Sequence, residues 1–122
     1  MSNIIKKTLE GGIIHTKVYW DDGTLNYEYY ILNGKYHRED GPAFISYSSD
    51  GSVGSSGLSY EKYMLNGEHH REDGPAWIYY HRDGSKRCED YYLNGKYYSK
   101  EDYKLWKINK EADECIQALL EG

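Results

Sequence analysis

This chain has little of what a dry, compact interior is usually made from. Only 39% of its 122 residues are hydrophobic, with phenylalanine once and methionine twice. No apolar run approaches the roughly 20 residues that span a bilayer, so no membrane segment is expected. The stretch Met1-Ser2-Asn3-Ile4-Ile5-Lys6-Lys7 lacks the apolar core of a secretory signal. Cysteine is scarce: Cys88 and Cys115 follow no metal or redox spacing and read as reduced thiols. The net charge is −5 with a pI near 5.5, which argues against a nucleic-acid polymer as partner. A cytoplasmic protein without metal or cofactor is the expectation.

Tyrosine is what the chain has instead: 15 residues, against three tryptophans. A tyrosine brings large apolar area, but its hydroxyl needs water or a partner. That suits a thin sheet with half-exposed strands better than a thick core.

A repeat organises the rest. Leu65-Asn66-Gly67-Glu68-His69-His70-Arg71-Glu72-Asp73-Gly74-Pro75-Ala76 restates Leu32-Asn33-Gly34-Lys35-Tyr36-His37-Arg38-Glu39-Asp40-Gly41-Pro42-Ala43, and Leu93-Asn94-Gly95-Lys96-Tyr97-Tyr98-Ser99 begins a shortened third copy. Such near-identity marks a repeat architecture. Residues 1–12 read as a leader. Strands are expected at Ile13–Trp20 and Asn26–Leu32, joined by the turn Asp21-Asp22-Gly23, with Lys35–Arg38 starting a return strand. Asn33-Gly34, Asn66-Gly67 and Asn94-Gly95 are strong hairpin turns. The second unit places strands at Ala43–Tyr47 and Leu58–Leu65, around the turn Asp50-Gly51 and a small-residue loop at 52–57. The third places them at Ala76–Tyr80 and Arg87–Leu93, around Asp83-Gly84. From Ser99 the period changes to three and four, with Leu105, Ile108, Ala112, Cys115, Ile116, Leu119 and Leu120 recurring as on one helix face.

The expected fold is therefore mainly β: antiparallel hairpin repeats in a twisted, elongated sheet, with one C-terminal helix over about 100–120. It is a single domain, residues 1–122, of three hairpin units at 13–98 and a capping helix at 99–122. Capping is a usual role for the end of a repeat array. The other possibility is homo-oligomerisation, through helix 100–120 or a sheet edge.

Most of the His-Arg-Glu-Asp-Gly-Pro-Ala phrase reads as a joint between units, with Asp accepting backbone N–H bonds, Gly supplying positive φ and Pro fixing the exit. The same residue types also suit a ligand. Arg38 and Arg71, with His37 and His70, would hold phosphate or ribose, while Tyr47, Trp77 and Tyr79 stack on a base. His81, Arg82, Lys86 and Arg87 add a basic cluster. Catalysis is not expected, because neighbouring acid and base types on a strand point to opposite faces, and His69-His70 would diverge as metal ligands.

The pattern Tyr-x-Leu-Asn-Gly-Lys-x-His-Arg-Glu-Asp-Gly-Pro-Ala, as at 30–43, resembles repeat proteins of bacteriophages and giant viruses. It is similar, more loosely, to MORN-type β-hairpin repeats and antitoxin-like proteins built from them. The likeness covers about 13–103 and is specific at 29–44 and 63–78. At 13–28 the His-Arg pair and Pro are missing, and the Gly-rich Tyr-x-Gly-x-Trp core of MORN repeats is absent. The resemblance implies a non-enzymatic viral binding protein in the cytoplasm of an infected bacterial host, acting against host defence. It would sequester a small nucleotide-derived signal or, alternatively, dock on a host defence protein through its Tyr-rich face.

Overall fold

The computed structural model describes residues 3–48 and 58–121; the turn expected at Asp50-Gly51 and the loop at 52–57 lie outside them. The three Asn-Gly pairs set the architecture. Asn33, Asn66 and Asn94 have φ of 51°, 50° and 50°, and Gly34, Gly67 and Gly95 follow at 78°, 83° and 83°. Two successive left-handed residues make the tight turn whose twist matches paired strands.

The strands are β1 (Ile4–Thr8), β2 (Ile14–Tyr19), β3 (Leu25–Leu32), β4 (Lys35–Tyr36), β5 (Phe44–Tyr47), β6 (Leu58–Lys62), β7 (Met64–Leu65), β8 (Glu68–His69), β9 (Trp77–Tyr80), β10 (Lys86–Leu93) and β11 (Lys96–Tyr98), followed by helix α1 (Lys100–Glu121). Among the described residues, one antiparallel sheet of nine strands runs β1-β2-β3-β5-β6-β9-β10-β11, with β4 also on β3; β7 and β8 form a separate ribbon. All three hairpin units thus contribute to one sheet. Residues 1–12 do more than lead in: β1 pairs with β2 from Ile4↔Val18 to Thr8↔Ile14. Its apolar–basic sequence lacks alternation because every side chain in it is exposed.

The return strands are split in a regular way. β4 and β5 lie end to end along one edge of β3. Between them, Tyr30 donates its N–H to Ala43 O at 2.8 Å and accepts from His37 N–H at 3.0 Å, so residues 38–42 leave the sheet as a loop. Tyr63 does the same with Ala76 and His70, at 2.7 and 3.0 Å. The single strand expected over Leu58–Leu65 is interrupted at Tyr63, because its pairing with β5 ends at Lys62, whereas β3 stays whole across Tyr30 with β2 paired along its other edge.

Alternation along the strands divides the side chains between two faces. Tyr27, Tyr29, Phe44, Tyr60, Trp77 and Tyr79 share one, the aromatic face, and their rings touch in sequence. The other face carries the two loops and the thin core, with Ile78 at 3% exposure and Ala43 and Ala76 fully buried.

Ser99 Oγ accepts the Asp102 N–H at 3.1 Å and starts α1. The helix docks differently from the expected capping stripe. Only Tyr103 is buried, and Trp106, Lys107 and Lys110 are half-buried beside it. Leu105 and Ile108 remain 58% and 61% exposed, because they lie on the opposite side of the helix. No helix among the described residues is long and apolar enough to cross a membrane.

Candidate functional site: two arginine loops and an aromatic face

Each loop is closed by its own arginine. Arg38 Nε donates to Asp40 Oδ1 at 2.9 Å, and its Nη1 donates to the Pro42 carbonyl at 3.2 Å. The guanidinium lies 4.1 Å from the centre of the Tyr30 ring. Arg71 repeats this with Asp73 at 3.1 Å, Pro75 at 3.2 Å and Tyr63 at 3.9 Å. The hydrogen bond from Arg38 is the main cause that holds the Asp40 carboxyl below its ordinary range. The glycines serve the arginines, contrary to the positive φ expected of them. Gly41 and Gly74 are not in the left-handed region. A Cβ on Gly41 would fall 2.8 Å from Arg38 Cζ, and one on Gly74 would fall 3.0 Å from Arg71 Cζ. The aspartates bond chiefly the guanidinium, with a backbone N–H only a minor contributor at Asp40.

The histidines staple neighbouring units. His37 is buried, and its Nδ1 accepts the Asn66 N–H at 3.1 Å. His70 Nδ1 accepts the Asn94 N–H at 2.9 Å, and its Nε2 lies 3.1 Å from Glu72. That pattern requires the proton on Nε2 of His70. Backbone bonds add to each joint: Arg38 N–H to Met64 O and Gly67 N–H to Tyr36 O in the first, Arg71 N–H to Tyr92 O and Gly95 N–H to His69 O in the second. Burial, and after it Lys110, pushes the His70 pKa below the ordinary imidazole value.

Where a third loop would begin, the helix takes its place. Tyr103 lies over Tyr91 at 4.7 Å, as the arginines lie over Tyr30 and Tyr63. Its hydroxyl donates to Arg71 O at 2.7 Å and accepts from Gly74 N–H at 3.1 Å, and Lys110 pairs with Glu72.

A cleft of about 430 Å³ separates the two loops, lined by Arg38, Glu39, Asp40, His70, Arg71, Glu72 and Asp73, with Tyr63 and Leu65 at its base. Two arginines already committed to their own aspartates face four carboxylates here, so the field disfavours an anion. Among the described residues no group of three or more His, Cys, Asp or Glu is placed to hold a metal ion.

The residues expected to form one site are therefore divided. Arg38, His70 and Arg71 meet at the cleft, and His37 lies beside it in the first joint. Tyr47 is on the same face but engaged with Glu28 at 2.5 Å; burial and that bond raise its phenol pKa. Tyr80 bonds Glu61 in the same way. Trp77 and Tyr79 belong to the other face, because they alternate with Ile78 and Tyr80 along β9.

On that other face the rings form a continuous path. Tyr27, Phe44, Tyr60, Tyr79, Trp77, His69, Tyr92 and Tyr97 follow one another at centroid distances of 5.6, 5.9, 5.8, 5.2, 5.1, 5.0 and 5.7 Å. Lys62 lies over three rings, 4.4 Å from Trp77, 5.4 Å from Tyr60 and 5.5 Å from Phe44. Burial lowers its pKa. His69 Nε2 and Trp77 Nε1 are buried without a hydrogen-bond partner among the described residues. Of this path the sequence points only to Trp77 and Tyr79; Tyr27, Phe44, Tyr60, His69, Tyr92 and Tyr97, with Lys62 above them, are added by the structure. What gathers them is the strand register, which sets Lys62 opposite both Phe44 and Trp77.

Compared with family models, curated proteins and solved structures, the chain matches none of them. Its fold defines it only as an antiparallel hairpin-repeat protein with a docked helix.

Proposed function

We propose that this chain is a non-enzymatic binding protein that docks a protein partner through the aromatic face of its sheet. The observation that carries the reading is the unbroken path of rings from Tyr27 to Tyr97. Most of them are half-buried, and Tyr97 is exposed at 59%. Tyrosine and tryptophan supply large, rigid contact area at little entropic cost, which is why interfaces favour them. The Trp77 and His69 nitrogens, buried without a partner among the described residues, belong to the same path. The resemblance to phage-encoded repeats makes a host defence protein the partner to test first.

Sequestration of a nucleotide-derived signal is a second reading, and one observation favours it on the aromatic face. Lys62 and Arg87 both stand over rings there, as cations beside a stacking platform. The arginine cleft suits it less, since its guanidinium groups are already occupied.

Capture from bacterial lysate by the wild type, a Tyr60→Ser/Tyr79→Ser variant and a Glu39→Gln variant separates these readings. Docking through the aromatic face requires loss of the captured protein in the first variant and retention in the second. Native mass spectrometry against a nucleotide-rich filtrate runs alongside. A small-molecule adduct lost in the same variant would move the function to the nucleotide reading; retention of the captured protein there would overturn the docking face.

A further inference from the structure

The sheet runs out at β1, and the strand there is paired along one side only. Asn3 O accepts the Tyr19 N–H at 2.8 Å, and the Leu9 N–H donates to Ile13 O at 2.7 Å. In this register Asn3, Ile5, Lys7 and Leu9 turn their backbone groups towards β2. The N–H and C=O groups of Ile4, Lys6 and Thr8 therefore point away from the sheet, and no bond among the described residues takes them up. Every side chain of β1 is exposed. The opposite end of the sheet differs, since β11 is short and leads straight into α1.

An extended chain is what such an edge binds, because only a strand offers donors and acceptors at the matching spacing. The charges around β1 choose between strands. Lys6 and Lys7 are exposed and have no ion-pair partner among the described residues. Thr16, opposite Lys6, is neutral, and His15, opposite Lys7, is bonded to Glu28. Lys17 lies opposite Ile5 and has Glu28 across from it on β3. The remaining carboxylates stand at the ends of the edge. Asp21, held by Asn3, and Asp22, held by Thr24, lie beyond Ile4. Glu10 lies beyond Thr8, with Asp40 behind it tied to Arg38. A second copy of β1 would bring Lys6 and Lys7 of both chains into one seam, where like charges repel. An acidic strand meets the same pair favourably. At the other end, Ile4 and Ile5 open with Tyr19 and Trp20 onto a cavity of about 410 Å³ that suits apolar side chains.

We propose that β1 is a docking edge for an extended acidic segment of a protein partner, which adds to the sheet as a further antiparallel strand. Carboxylates on that segment pair with Lys6 and Lys7, and the residues after them lie against Ile5 and Ile4. Read from its N-terminus, the segment is acid-acid-apolar-apolar. One pair of lysines thus excludes a copy of the chain and selects the partner. The edge lies several strands away from Tyr60 and Tyr79, so the failure of either docking proposal leaves the other standing.

The test uses the full chain, titrated with a capped peptide containing Thr-Glu-Glu-Val-Val and, as control, its Thr-Lys-Lys-Val-Val counterpart. In amide exchange followed by NMR, Ile5, Lys7 and Leu9 are expected to be slow and Ile4, Lys6 and Thr8 fast. The acidic peptide should slow the second set and leave the first unchanged, and the lysine peptide should do neither. Lys6→Pro deletes an outward donor and costs no bond to β2, a position where edge strands tolerate proline. It is expected to weaken binding of the acidic peptide about tenfold or more, through a lost backbone bond and a lost charge pair. Lys6→Glu/Lys7→Glu keeps every backbone group and should reverse the preference between the peptides, which decides the matter if the proline variant does not fold. Light scattering follows the mass, expected to stay at 14.3 kDa without peptide. Unchanged exchange at Ile4, Lys6 and Thr8 under excess acidic peptide overturns the proposal. Equal binding of the two peptides overturns the acidic occupant. A doubled mass that Lys6→Pro abolishes makes a second copy the occupant instead.

Discussion

The loops at 38–42 and 71–75 are built from the same residues and folded by the same bonds, yet they stand in different surroundings. The second is roofed by α1: Tyr103 holds the Arg71 carbonyl and the Gly74 N–H, and Lys110 holds Glu72. The first faces the cleft on one side and, on the other, a smaller cavity bounded by Leu9, Glu10 and Ile13. An arginine that ties its own loop makes a self-contained unit. Such a unit can be copied along a sheet, and its setting then decides what each copy does.

The largest break in this comparison comes from the clamps themselves. Arg71→Ala removes a charge-assisted bond, a bond to Pro75 and a ring contact, a loss of about 2–4 kcal/mol. It also loosens the seat of the helix, so hydrogen exchange in α1 should quicken. Arg38→Ala should cost a similar amount in a urea melt and leave α1 protected. Equal exchange in the two variants would show that the roof is not tied to the second loop.

The glycines sharpen the comparison in the opposite direction. Gly41→Ala meets its guanidinium at 2.8 Å and Gly74→Ala at 3.0 Å. The first is therefore expected to cost more, about 1–3 kcal/mol as for other overpacked sites. Thermal melts of the pair would check the order. Tyr103→Phe comes next, at about 1–2 kcal/mol for a buried hydroxyl that both donates and accepts. Faster exchange should appear at Gly74 and not at Gly41.

Acid tests the second joint. Burial holds the His70 pKa below the ordinary 6.5, so the unfolded chain binds that proton more readily than the folded one. His69 is lowered for the same reason. Stability is then complete above about 6.5 and falls as the pH drops from there towards the lowered folded values. His70→Gln should flatten that slope in urea melts between neutral and mildly acidic pH; an unchanged slope would assign it to other groups. The smallest effect is expected from Lys110→Ala, at most about 1 kcal/mol, since its pair with Glu72 is surface-exposed.

Much of the fold was legible because its signals are local. Asn followed by Gly prefers left-handed φ wherever it stands, and the three such pairs define the hairpins before any contact is known. Ser99 announced the helix start in the same way. The joint role of the His-Arg phrase was legible from its two copies, but the duties within it were not. Gly41 was read as a turn residue and proved to be a space for a guanidinium. Asp40 reads as a backbone cap but serves first as the arginine's counter-ion.

The sequence by itself determined the mainly β character, the three Asn-Gly turns, the extent of the helix and the thinness of the core, since each depends on residues close in the chain. The tertiary structure alone decided which residues share a face. It set Trp77 and Tyr79 across the sheet from Arg38 and Arg71, gathered Tyr60, Lys62 and His69 into one aromatic path, and turned the aliphatic stripe of α1 outward while Tyr103 did the docking. Those choices depend on strand register and on which hydroxyl or guanidinium finds a partner, and neither is carried by neighbours in the chain.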